Sequence, residues 1–396
     1  MAHGWPAAWG WAVIMVLGLR LALGAVMAGV WLVVRPYLPA TIPGDIALTG
    51  GRVYGRLAEA LLGVWLRWDA VHYLTLAHVG YFQVGVGDSV FYPLYPLLVA
   101  AFSPLAGGDY LLAGLVVSTL AATVACAMLY RLTEQAFGPD AARWSILTLA
   151  LYPTAFFLIA PFTESLFLAL TLPAFLAAGA RRWWLAGALG ALASLVRGPG
   201  LLTALALACI AWRQRPPGRL TTLAGIKSQA APLAGIILPL AGGAVFILWR
   251  AAVGFPSVAN VLSVYSGVAF IDPLRGLSLA VVQFIRVHDL PTTLDVISAL
   301  TFMGVLVAMV AQPRWRRAEW LVYMTANLLV FFSKRSVQAA SLQSLARYVL
   351  ALFPAFIVAG DWLSRRGRKV RFVYTVVSSV GLLGLAVSYS LWWFVG

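Results

Sequence analysis

Residues 7–34 read AAWGWAVIMVLGLRLALGAVMAGVWLVV, an almost unbroken apolar run of 28 residues. As a helix rising about 1.5 Å per residue it covers the roughly 30 Å hydrocarbon core of a bilayer with length to spare. It is longer than the h-region of a secretory signal peptide and has no clear small-residue cleavage pattern, so it is expected to be the first membrane span. The pattern recurs along the 396 residues, which are 62% hydrophobic and 10% charged. With a mean hydropathy of +0.90, the composition excludes an ordinary soluble globule.

Apolar runs between polar breaks predict eleven spans, at 7–34, 109–130, 143–160, 162–180, 183–196, 200–212, 230–252, 292–311, 318–333, 346–363 and 371–394. Runs 183–196 and 200–212 are short for a full crossing and read as partial spans. The expected fold is all-α and polytopic, one membrane domain over residues 1–396. Outer loops at 35–108 and 253–291 cap it, with surface helices near 55–65 and 277–287. Residues 91–106 are apolar but carry Pro93, Pro96 and Pro104, which predicts a juxtamembrane or re-entrant piece.

The net charge of +15 does not point to nucleic acid, because the basic residues sit in short loops between spans. With the N-terminus cytoplasmic, the inner loops hold sixteen Lys and Arg, including Arg131, Arg143, Arg213, Arg219, Lys227, Arg314, Arg365 and Arg371. Acidic residues, among them Asp45, Asp109, Asp272, Asp289 and Asp295, fall outside. The only cysteines, Cys126 and Cys209, lie inside apolar runs without metal-ligand spacing.

Against this background Arg67-Trp68-Asp69-Ala70-Val71-His72-Tyr73 is a polar and aromatic island. On a helix Asp69, His72 and Tyr73 share a face, with Arg67 and Trp68 at its entrance. A carboxylate beside an imidazole near a bilayer suits acid–base chemistry; equally, the stretch suits an interfacial helix with an aromatic belt. Glu164, in the turn Ala160-Pro161-Phe162-Thr163-Glu164-Ser165, is either a functional ionisable group or part of a helix start. Arg197, in Ser194-Leu195-Val196-Arg197-Gly198-Pro199-Gly200, and Arg347, in Ser341-Leu342-Gln343-Ser344-Leu345-Ala346-Arg347-Tyr348, offer planar cationic forks suited to a lipid phosphate. Lys334 and Arg335 could assist them, and snorkelling to headgroups is the plainer alternative. No P-loop, dinucleotide turn, His-Glu-x-x-His or Cys-x-x-Cys occurs. Asp69, His72, His78 and Asp88 match no strong ligand spacing, so neither a metal nor another cofactor is expected.

The island, with Gly80-Tyr81 and Phe91-Tyr92-Pro93-Leu94-Tyr95-Pro96, resembles the PIG-V-like mannosyltransferases, whose eukaryotic members add the second mannose in glycosylphosphatidylinositol assembly. Thr154-Ala155-Phe156-Phe157-Leu158 with Phe162-Thr163-Glu164-Ser165, and Ser344-Leu345-Ala346-Arg347-Tyr348 running to Phe353-Pro354, look like the family's later blocks, so the likeness runs from about 65 to 355. The resemblance implies a bacterial-type member with a GT-C type fold, sited in a prokaryotic plasma membrane with its active site outward. It implies a hexose, foremost mannose, moved from a polyprenyl-phosphate donor to a hydroxyl of a lipid, glycan or protein acceptor, with inversion. Asp69 then falls where the base stands, Arg347 and Arg197 where the leaving phosphate is stabilised. His72, Tyr73, Arg67, Glu164 and Tyr348 complete the substrate-binding set. The rival class is a transporter or flippase of lipid-linked sugars, which predicts charges lining a path through the midplane and repeat symmetry.

Overall fold

The computed structural model describes residues 4–37, 46–215, 229–265, 267–336 and 342–393. Asp45, Arg219, Lys227 and Ser341 lie outside the described residues. In chain order the helices are α1 (Gly4–Val34), α2 (Arg56–Leu61), α3 (Asp69–Val79), α4 (Leu94–Phe102), α5 (Tyr110–Phe137), α6 (Pro139–Ala150), α7 (Glu164–Gly179), α8 (Trp183–Ser194) and α9 (Thr203–Gln214). They continue as α10 (Ala230–Ala252), α11 (Val258–Tyr265), α12 (Pro273–Val287), α13 (Leu290–Ala311), α14 (Ala318–Phe332), α15 (Leu345–Tyr348), α16 (Phe353–Ser364) and α17 (Arg368–Ser390). A short antiparallel ribbon, β1 (Val268–Phe270) with β2 (Lys334–Ser336), is the one departure from an all-α chain among the described residues.

Among the described residues five helices are long and apolar enough to cross a membrane: α1, α5, α10, α13 and α17. The chain is a multi-pass membrane protein. Several of the other expected runs take a different form. Run 143–160 is not one helix, since α6 stops at Ala150 and only a 3-10 turn, Ala155–Leu158, follows. Run 346–363 is bent by 78° between Leu345–Ala351 and Phe353–Ser364. Run 200–212 starts as a 3-10 turn, Gly198–Leu202, before α9. Residues 91–106, expected from their prolines to be a juxtamembrane or re-entrant piece rather than a span, form the short α4 and a 3-10 turn, Ser103–Ala106. Apolarity alone cannot register such breaks, because the interrupting residues are themselves largely apolar and their backbones are satisfied by protein. Ala155 N, for example, donates to Tyr152 O at 2.8 Å.

The helix starts have local causes. Asp109 caps α5 by accepting from Leu112 N at 2.8 Å, Asp272 caps α12 through Arg275 N at 3.0 Å, and Asp289 caps α13 through Thr292 N at 2.8 Å. Three of the acids read as outer-loop charges are thus N-caps. Small residues let α8 and α10 approach closely: a Cβ on Gly242 would lie 2.4 Å from Ala191 O. Arg20, midway along α1, donates through Nη2 to Thr119 Oγ1 at 2.7 Å and Leu115 O at 3.3 Å of α5, and to Ile159 O, while its Nε is buried with no hydrogen bond among the described residues. It also lies over the Trp65 ring at 5.2 Å. A permanent charge within an apolar helix is tolerated where it faces the bundle interior and finds acceptors on neighbouring helices.

The loop arginines gather at one end of the bundle. Arg143 lies over Trp11, Arg371 over Trp144, and Arg314 and Arg317 over Phe137, at 5.3, 5.3, 5.0 and 5.9 Å. Arg213 pairs with Glu319 at 2.8 Å. Buried Asp361 accepts from Arg314 Nε and Nη2, both at 2.6 Å, and from Trp315 Nε1 at 2.9 Å. Removing one partner of a buried ion pair typically costs about 3–5 kcal/mol. Asp361→Ala should therefore lower the thermal unfolding temperature in detergent markedly while leaving any activity per folded molecule intact, since Asp361 lies at the far end of α16 from Arg347. Equal unfolding temperatures would show that this anchor is dispensable.

Candidate active site

Four segments converge at the opposite end, each arriving where a helix begins or has just ended. Asp69 opens α3, Glu164 opens α7, Arg197 follows α8, and Arg347 lies in α15, immediately before the bend into α16. Arg347 Nη1 donates to Asp69 Oδ2 at 2.7 Å, while its Nε lies 3.3 Å from Glu164 Oε1. The second contact is charge attraction without a well-aligned hydrogen bond. Arg197 Nη1 donates to the same Glu164 oxygen at 2.7 Å. Glu164 is 1% exposed at its side chain and Arg347 7%, against 31% for Asp69. The carboxylate at the floor is therefore sealed, whereas Asp69 is open to an incoming molecule.

Glu164 opens α7, so the turn is a helix start, although the Thr163 side chain makes no capping hydrogen bond. The Glu164 carboxylate holds two guanidinium groups that would otherwise repel. Its Oε2 is buried with no hydrogen bond among the described residues. Tyr348 closes the group: its hydroxyl accepts from Arg347 Nη2 at 3.3 Å, and Arg197 and Arg347 approach its ring at 4.9 and 5.0 Å.

The stretch is helical, as α3, and Asp69, His72 and Tyr73 follow one another around it. They do not share an environment. Tyr73 is buried among Phe91, Tyr95 and Phe162, with its hydroxyl 3.4 Å from Thr163 Oγ1. His72 is exposed, stacks on Phe91, and pairs through Nδ1 with Asp88 Oδ1 at 2.7 Å. Arg67, expected among the substrate-binding residues, is engaged elsewhere. Its Nε donates to Ser390 O at 3.1 Å, its Nη1 to Gly63 O and Leu66 O at 2.9 Å, and Trp392 lies beneath it at 4.9 Å. It ties the start of α3 to the end of α17. Between Arg67 and Asp69, Trp68 has a φ of 53°, a left-handed backbone that a bulky residue adopts only under tertiary constraint. Among the described residues no group of three or more His, Cys, Asp or Glu is placed to hold a metal ion.

Two residues outside the expected set position Arg347. Ala346 is held from both sides: Asp295 Oδ1 on α13 accepts its N–H at 3.1 Å, and Thr154 Oγ1 donates to its carbonyl at 2.7 Å. The turn before it carries φ of 45° at Gln343 and 67° at Ser344, so these clasps restrain a strained segment. In the sequence Asp295 stood only as one of the outer acids; Thr154 had no signal beyond its block.

Residues 47–222 match a family model described as Mannosyltransferase (PIG-V). Over residues 47–222 the chain is PIG-V-like. GPI mannosyltransferase 2 of Cryptococcus neoformans is 32% identical over 161 residues, covering 37% of this chain and 36% of that protein. GPI alpha-1,6-mannosyltransferase 2 of Rattus norvegicus is 33% identical over 158 residues, covering 37% and 32%. The chain thus aligns with about a third of the length of the curated relatives it matches. Among solved structures, the oligosaccharyltransferase of Archaeoglobus fulgidus is similar at 14% identity and a TM-score of 0.48, covering 96% of this chain and 53% of that one. The PIG-V-like region holds Asp69, His72, Glu164 and Arg197. Arg347, Tyr348 and Lys334 lie beyond it, although the expected likeness ran to about 355.

Asp295→Ala should leave the Ala346 N–H unmet, lower stability by about 1–3 kcal/mol, and increase exchange of the 342–348 amides; Thr154→Val should act in the same direction. Unchanged exchange there in both variants would remove their positioning role. The Asp88 hydrogen bond raises the His72 pKa above its usual 6.5, more than burial lowers it. The charged pair is thus complete below pH 6.5 and is lost as pH rises through the raised value. Hydrogen exchange over residues 80–92, corrected for intrinsic rate, should rise through that window, and His72→Gln should abolish the step.

Proposed function

We propose that the chain is an integral-membrane, inverting glycosyltransferase of GT-C type, which moves a hexose, foremost mannose, from a polyprenyl-phosphate donor to an acceptor hydroxyl. The observation that carries this reading is the network of Asp69, Arg347, Glu164 and Arg197 at the end of the bundle away from the loop arginines. A partly exposed carboxylate adjoining a cationic cluster has the parts that the reaction needs. Asp69 takes the proton from the acceptor hydroxyl as its oxygen attacks the anomeric carbon from the face opposite the phosphate. The bond to the phosphate oxygen breaks, and Arg347 and Arg197 stabilise the charge that collects there. Glu164 holds both arginines in place. His72, half open beside Asp69, lies within reach of a sugar hydroxyl.

The match to the PIG-V family model and the printed activity of the relatives support mannose as the sugar. The positive-inside rule supports placing the loop arginines in the cytoplasm and the site on the other face, as in the plasma membrane of a prokaryote. The acceptor hydroxyl belongs to a lipid, glycan or protein. A transporter of lipid-linked sugars would want its charges strung through the midplane. Here Asp69, Glu164, Arg197 and Arg347 meet at one end.

The test is transfer of labelled mannose from polyprenyl-phosphate-mannose in proteoliposomes, with membrane glycolipid and glycoprotein extracts as acceptors. Asp69→Asn should lower the rate by about 10²–10⁴-fold, the usual contribution of a general base, at an unchanged unfolding temperature. Full activity in that variant would remove Asp69 from the role. Movement of labelled lipid across the bilayer without any glycosidic product would favour the transporter.

A further inference from the structure

Lys334 opens β2 two residues after α14 and pairs in register with Phe270 of β1. The ladder is extended by Ile271 N donating to Ser333 O at 2.9 Å, so the outer segment around β1 fixes where Lys334 stands. Its Nζ lies 4.5 Å from the centre of the Tyr348 ring, which Arg197 and Arg347 approach from 4.9 and 5.0 Å. The ion pairs of this group join Arg347 to Asp69 and Glu164, and Arg197 to Glu164; among the described residues none includes Lys334. Burial, together with the two arginines, holds its ammonium below the usual lysine range, although the Tyr348 phenol opposes that shift.

Three cations around one ring, against two carboxylates, leave one positive charge uncompensated. A neutral ring offers only a weak quadrupole in return. Collecting like charges out of water is unfavourable unless an anion completes the arrangement. Resting on the glycosyl-transfer reading above, we propose that Lys334 is a third cationic contact for the phosphate of an isoprenyl-phosphate lipid, and that Arg347 passes from Asp69 to that phosphate during turnover.

The charges follow the chemistry. The acceptor oxygen bonds to the anomeric carbon as the bond from that carbon to phosphate oxygen breaks; the electron pair stays on the phosphate, and the acceptor's proton goes to the Asp69 carboxylate. The donor phosphodiester carries a single negative charge, equal to the resting excess. The product monoester carries about −1.5 to −2. Protonated Asp69 no longer holds Arg347, so the excess rises to two as the phosphate's charge rises with it.

Binding of geranylgeranyl phosphate to the full-length protein in detergent, followed by tryptophan fluorescence, tests this without any sugar transfer. Lys334→Met should weaken binding about tenfold, on the order of one charge-assisted hydrogen bond, while Lys334→Arg should stay within about threefold of wild type. Asp69→Asn should bind the monoester about threefold more tightly, because Arg347 loses its competitor. A purely structural role for either residue predicts no gain. Wild-type affinity in Lys334→Met, or weakened binding in Asp69→Asn, overturns the proposal. Inorganic phosphate should fail to compete; competition on equal terms overturns the lipid assignment. Should Lys334→Met not fold, the opposed signs of Asp69→Asn and Lys334→Gln decide the matter. A wild-type protein that binds the lipid phosphate as described but transfers no sugar would fail the functional reading alone.

Discussion

The arrangement depends on one guanidinium shared between two carboxylates of different exposure. Arg347 is nearly sealed, yet it reaches the open Asp69 on one side and the closed Glu164 on the other. Glu164 also holds Arg197, so a single buried carboxylate keeps two arginines near one tyrosine ring. In a low-dielectric interior the removal of any one of these charges leaves its partners unmet. That mutual dependence is why four segments so far apart in the chain can be held to one geometry, and why their placement is sensitive to residues that touch no substrate.

Much of the remaining structure keeps this group in place. Asp295 and Thr154 clasp the backbone at Ala346. Arg67 ties the start of α3 to the carbonyl at Ser390. The ribbon of β1 and β2 brings the outer segment after α11 against the stretch that carries Lys334. At the other end of the bundle, Asp361 gathers Arg314, Trp315 and Arg365. The two ends thus differ: one is an anchoring layer of paired and aromatic-stacked arginines, and the other gathers Asp69, Glu164, Arg197 and Arg347, with Asp69 partly open.

Particular residues show how far the chain could be read before it was folded. The islands around Asp69, Glu164, Arg197 and Arg347 stand out because a charge within an apolar sequence is rare, and rarity is visible without coordinates. That Asp69, His72 and Tyr73 would share a face on a helix was legible from their spacing. The environment of each was not: Tyr73 entered an aromatic cluster while His72 turned to Asp88. Arg67 looked like Arg197 in sequence, and only the carbonyls around it separate their roles. Asp295 read as one more outer-loop acid, because the N–H it meets comes from a segment fifty-one positions away.

The sequence by itself determined that this is a helical membrane protein with a few charged islands, because hydropathy and charge rarity are local properties that the bilayer enforces residue by residue. Only the tertiary structure decided which apolar runs are whole helices, which are broken, and which charges meet. Breaks at Ala150 and at the bend before Phe353 are stabilised by partners from distant segments, and a local apolar pattern carries no record of those partners. The pairing of Arg347 with Asp69, 278 residues apart, exists because packing brings α15 against the start of α3, where the nearly sealed Arg347 has little water to compete for its donors.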